Sequence, residues 1–139
     1  PRVAAAPEAS PVVPRWYAAD QVRRGALIYA ASCARCHGGR AEGAPGWQEP
    51  TPTGSRRPPP LDASGHAWEH RFEELVDIVS EGGAATSGIM PPFRETLAEG
   101  VQHAVIAWFQ SLWPDAVYQA WLQAPGCSVP APAESAAAP

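Results

Sequence analysis

The sequence predicts an all-α domain of four or five short helices, and three observations carry that expectation. Apolar residues recur at helical spacing in four separate segments, no alternating strand pattern appears, and Pro and Gly crowd the two ends and one interior stretch. The 139 residues suit one domain. Pro1, Pro7, Pro11 and Pro14 mark an Ala/Pro-rich start, and Pro125, Pro130, Pro132 and Pro139 a similar finish. Residues 1–15 and 124–139 therefore read as tails or linkers, leaving 16–123 as the folded part.

The elements follow in order. Asp20 is a good N-cap for a first helix over 21–32, with Val22, Gly25, Ala26 and Tyr29 on one face. A glycine inside a helix costs stability, so Gly25 is expected to admit another backbone; an incidental glycine is the plain alternative. The stretch 38–60 holds Pro45, Pro50, Pro52, Pro58, Pro59 and Pro60 and sustains neither helix nor strand. A loop of that length inside a compact domain is functional or wraps around something. A second helix fits 69–81, where Phe72, Leu75, Val76 and Val79 form the apolar stripe and Gly82 and Gly83 end it. The loop 83–96 carries the only methionine, Met90, followed by two prolines. A third helix covers 99–112, with Val101, Val105, Trp108, Phe109 and Leu112 expected inside. Beyond Pro114, a short extra helix over 115–122 puts Val117, Tyr118, Trp121 and Leu122 on one face.

Charge and hydropathy exclude some functions. The formal net charge is −4 and all ten basic residues are arginine, so the basic excess of a nucleic-acid binder is missing. No run of 18 apolar residues reads as a membrane span. The chain opens in low-complexity sequence without Met, which fits removal of a signal peptide or anchor before Pro1.

Cys33-Ala34-Arg35-Cys36-His37 reads as C-x-x-C-H, the attachment sequence for a c-type haem. Two thiols two residues apart on a helical turn reach the two vinyl groups of one porphyrin, and the next residue, His37, supplies an axial nitrogen to the iron. Random ordering of three Cys and four His gives this pattern in about two chains per thousand. A redox C-x-x-C wants a βαβ context, and a structural zinc site wants two more ligands at matched spacing; the sequence offers neither. One covalent haem c with its iron is the expected cofactor, and this apolar disc also explains a small domain with a long Pro-rich loop.

From here the chain resembles a family: the bacterial class I c-type cytochromes, over about residues 20–112, and loosely those related to the third subunit of cbb3-type oxidases. Gly25 and Tyr29 precede Cys33 as in the family's first helix, and Val105 and Trp108 match the pair on the last helix that crosses it. Pro59-Pro60-Leu61 resembles the turn whose proline carbonyl accepts a hydrogen bond from the proximal histidine, so Pro59 is expected to orient His37. Met90-Pro91-Pro92-Phe93 resembles the distal loop that carries the sixth ligand, making His37 and Met90 the expected iron ligands. Trp68 resembles a position whose indole N–H meets a haem propionate; ordinary core packing is the other reading. His66 and His70 compete with Met90 as sixth ligand or lie near a propionate or on the surface, and His103 reads as a surface or core residue. The loop from His37 to Pro59 is longer than in short members, and 113–121 lies outside the minimal fold.

The resemblance implies the class I cytochrome c fold around one haem and one-electron transfer between redox proteins, without catalysis, in the periplasm. The expected form is a monomer, tied to a membrane only through a removed anchor or a partner complex. The alternatives are a fixed electron-transfer subunit of an oxidase or dehydrogenase, a haem sensor or enzyme with Met90 displaced, and a scaffold with a structural haem. Arg35, Arg40, Arg56 and Arg57 suggest a basic rim at the haem edge that would steer an acidic partner, diluted by Glu42 and Glu49. Cys127 is left over and reads as a free tail thiol, with modification or linkage to another chain as alternatives.

Overall fold

The computed structural model describes residues 13–83 and 88–130. Among these residues five helices follow one another: α1 (Ala19–Ser32), α2 (Ala34–His37), α3 (Phe72–Glu81), α4 (Glu99–Gln110) and α5 (Asp115–Leu122), with a 3-10 turn at Ala67–Glu69 before α3. Among the described residues there is no strand, only one isolated bridge between Arg56 and Gly88. The all-α expectation holds, and 38–60 contains no helix.

Helix α1 begins two residues earlier than the sequence suggests. The Gln21 side chain turns back to accept the Ala18 N–H at 2.9 Å, so Ala18 is the cap and Asp20 falls in the first turn. Helix α1 crosses α4 at Gly25, where an added Cβ would lie 1.9 Å from the Ala104 carbonyl oxygen. Only a residue without a side chain permits that approach. One turn on, the Tyr29 ring lies against Trp108 with centroids 4.2 Å apart. Helix α4 is enclosed on most sides, burying Ala104, Val105, Ile106, Ala107, Phe109 and Gln110.

Two other boundaries also move. The second helix starts at Phe72 rather than 69, because the backbone is extended at His70 and Arg71. The His70 carbonyl accepts the Trp121 indole N–H at 2.7 Å, so it is bonded outside the helix. Helix α4 ends at Gln110 rather than 112: a tight turn closes with Trp113 N–H donating to Gln110 O at 2.9 Å. That turn swings Trp113 inward to 2% exposure and leaves Leu112, expected inside, 40% exposed.

Packing runs past both ends of the 16–123 span, since Val13, Cys127 and Val129 sit against the core. On the amino-terminal side Trp16 is buried; its indole N–H donates to Gln110 Oε1 at 2.6 Å and its backbone N–H to the Tyr118 hydroxyl at 3.0 Å. Arg15 reaches the Gln110 and Trp113 carbonyls at 2.9 and 2.8 Å and Asp115 at 2.7 Å. Its guanidinium also stands 4.2 Å over the Tyr118 ring. Arg15 thus ties the amino-terminal arm to α4 and α5.

Candidate functional site

The C-x-x-C-H motif is built where α1 hands over to α2. The Cys33 N–H still bonds the α1 carbonyl of Tyr29 at 2.9 Å, while the Cys33 carbonyl accepts the N–H groups of Cys36 and His37 at 3.1 and 2.9 Å. One short turn therefore presents both thiols and the imidazole. Cys33 and His37 are buried and Cys36 is exposed. Burial, reinforced by nearby Cys36, pushes the Cys33 thiol up to about 11, so it is protonated at neutral pH.

His37 Nδ1 lies 2.8 Å from the Pro59 carbonyl oxygen. A carbonyl only accepts, so Nδ1 carries the proton and the Nε2 lone pair is left for a ligand. Burial lowers the His37 pKa, against the opposing pull of the Pro59 bond, and keeps the ring neutral at neutral pH.

The Pro59 turn is fixed from several sides. Gly43 N–H donates to the His37 carbonyl at 2.6 Å, and the Leu61 and Asp62 N–H groups share the buried Ala41 carbonyl at 2.9 and 3.2 Å. Pro60 is wedged against Gly43, where an added Cβ would come within 2.6 Å of the proline nitrogen. The Leu61 carbonyl accepts the Trp113 indole N–H at 2.9 Å.

These elements enclose a cavity of about 580 Å³ whose wall includes Cys36, His37, Pro59, Leu75, Met90 and Phe109. An adjoining space of about 340 Å³ is lined by Cys33, Cys36, His37, Met90 and Phe93. Both lie in the size range of small-molecule and cofactor sites. His37 and Met90, far apart in sequence, thus stand on one cavity. The Met90 carbonyl accepts the Gly83 N–H at 3.0 Å, which ties the Met90 loop to the end of α3.

Trp68 is not on that wall. Its indole N–H donates to Gly65 O at 2.9 Å and its ring is 39% exposed. Trp47, Arg56, Arg57, His66 and His70 line the cavity instead. The Trp47 ring meets His66 edge-on at 5.7 Å, and the Arg57 Nε–H donates to Glu49 O at 3.0 Å. Trp47 is the cavity residue that sequence reasoning missed; its signal was a lone aromatic in a polar, Pro-rich loop. Glu49, Asp77 and Glu81 share the wall with the arginines, so the rim is of mixed charge. His103 lies elsewhere, packed against the Phe72 and Trp16 rings at 5.0 and 6.4 Å. Cys127 is half-buried against the core, and its burial raises its pKa.

Among the described residues no three His, Cys, Asp or Glu side chains converge as ligands of a zinc site would. The donor set instead fits a haem: paired thiols beside an imidazole with Nε2 available, a thioether on the same cavity, and an otherwise largely apolar wall. No helix among the described residues is long and apolar enough to cross a membrane.

Comparison with known families gives one result: the model of the family described as cytochrome c oxidase, cbb3-type, subunit III matches residues 20–109. Searches of curated proteins and of solved structures returned no significant match. The matched span runs from the first turn of α1 to Phe109, taking in the motif turn, the Pro59 loop and Met90. With a helical fold and a largely apolar cavity behind C-x-x-C-H, the chain belongs to the cbb3-type subunit III family of c-type cytochromes, whose cofactor is haem c.

Proposed function

We propose that the protein carries single electrons between redox proteins, with His37 and Met90 as the two axial ligands of its iron. The observation that carries this reading is the shared cavity: His37, with Nδ1 committed to Pro59, and Met90, the only thioether in the chain, both line it. Bound haem c supplies the one-electron couple. The chain's residues do the rest. Cys33 and Cys36 hold the porphyrin through thioether links from one turn. The Pro59 carbonyl fixes the plane of the His37 ring and raises its basicity. Met90 closes the sixth position and raises the reduction potential relative to a second imidazole. A closed iron leaves no open coordination site, which suits a carrier and not a catalyst.

A second reading keeps the same site and ligands but places the domain as a fixed electron-input subunit of an oxidase. It is favoured by the family description, which names an oxidase subunit. Under either reading, attachment through C-x-x-C-H implies the periplasmic side of a bacterial inner membrane. Co-purification with a larger complex separates the fixed subunit from a monomeric shuttle.

The test is the optical spectrum of the ferric holoprotein beside that of Met90→Ala. The wild type is expected to show the weak far-red band of sulfur-to-iron charge transfer, and M90A to lose it and bind CO when reduced. A wild type that lacks the band and binds CO overturns Met90 ligation and favours a sensor or enzyme.

A further inference from the structure

The family match ends at Phe109, yet the chain continues through Trp113 and α5. That continuation does more than add bulk. Two of its tryptophans, both 2% exposed or less, donate their indole N–H to carbonyls of cavity-lining residues: Trp113 to Leu61 at 2.9 Å and Trp121 to His70 at 2.7 Å. The two rings meet edge-on, 5.8 Å between centroids, but their indole N–H groups reach different segments.

The Trp113 bond falls two residues from Pro59. Leu61 is held at its N–H by Ala41 and at its carbonyl by Trp113, 52 positions further along the chain. Pro60 between them is fully buried against Gly43. A rigid three-residue turn therefore runs from the Trp113 indole to the carbonyl that receives the His37 proton at 2.8 Å.

We propose that Trp113 is a positioning residue for the proximal ligand: through Leu61 it presses the Pro59 carbonyl onto His37 Nδ1 and so sets the basicity of the imidazole. This rests on the reading of His37 as an axial ligand. Without the brace the Pro59 turn relaxes, the Nδ1–H···O bond lengthens, and His37 donates less electron density to the iron. The ferrous form then gains relative to the ferric.

The experiment compares wild-type, Trp113→Phe and Trp121→Phe holoproteins by NMR of the ferrous state and by redox titration. Phe keeps an aromatic ring and removes the N–H. In W113F the His37 Nδ1–H is expected to exchange with solvent about tenfold faster, with the reduction equilibrium moved roughly threefold toward ferrous. In W121F, which frees His70 instead, both readouts are expected to stay at wild-type values. An unchanged His37 proton and potential in folded W113F overturn the proposal, as do equal changes in both variants, which would mean general loosening. If W113F yields no holoprotein, the wild type alone decides. Matching exchange rates for the Trp113 indole and His37 Nδ1–H support the brace, and a His37 proton that outlasts the indole overturns it. Absence of haem-shifted His37 ring signals in the wild type overturns the ligand reading itself, and the brace with it. Presence of those signals with an unresponsive W113F overturns the brace alone.

Discussion

Where α1 crosses α4 backbone packs directly on backbone; across the cavity the facing residues leave a space between them. At the crossing, backbone meets backbone through Gly25, and Tyr29 covers the contact by lying on Trp108 and donating its hydroxyl to Gly38 O at 2.6 Å. On the cavity side, His37, Leu75, Met90 and Phe109 face a common space of about 580 Å³. This space opens to solvent and leaves largely apolar wall without the close packing of an interior. The contrast teaches that the haem c of this family would supply apolar packing on the cavity side as well as the redox group.

The largest expected effect comes from filling the crossing. Gly25→Ala places a methyl where the Ala104 carbonyl oxygen stands, at 1.9 Å, too close for a side-chain shift to relieve. The loss should exceed about 3 kcal/mol in denaturant unfolding, beyond the usual cost of overpacking. A loss below about 1 kcal/mol would show that the helices can separate freely, and the comparison would break.

Removing the cofactor tests the other half. In a haem-free Cys33→Ala/Cys36→Ala protein, amides of α3 are expected to lose protection from hydrogen exchange about a hundredfold more than those of α4. Equal loss in the two helices would mean that the crossing, too, depends on the haem.

The smallest effect sharpens the boundary. Arg15→Ala removes bonds to Tyr17, Gln110, Trp113 and Asp115, none of which involves the motif residues. Asp115 is 45% exposed, so solvent screening keeps the ion pair weak and the cost near about 1–2 kcal/mol. The haem spectrum should not change, and a spectral shift would show that the arm and the cavity are one mechanical unit.

Much of the fold was legible in the sequence for local reasons. The apolar spacings of α3, α4 and α5 are each written within a dozen residues, and α5 falls on 115–122 as the pattern placed it. Gly25 was legible because a glycine inside a helix needs a reason. The C-x-x-C-H turn and the Pro59 carbonyl were legible because their chemistry constrains residue type and order. What escaped the reading was set at long range. The start of α3 combines a local signal, the Glu74 carboxylate accepting the Arg71 N–H, with a bond to His70 O from Trp121, 51 positions away, which no local window contains. Trp68 shows a local arrangement instead, its indole N–H bonded to the Gly65 carbonyl three residues back.

By itself, then, the sequence determined which segments are helical, which turn holds the thiols and imidazole, and which group the domain accommodates. These depend on spacing and on the valence of particular atoms. Only the tertiary structure decided which of two neighbours, Leu112 or Trp113, enters the core, and that its indole reaches the turn behind His37. It also decided that Trp47 rather than Trp68 lines the cavity. Such choices hang on directional hydrogen bonds between distant residues, whose energies matter only once close packing has brought the partners together.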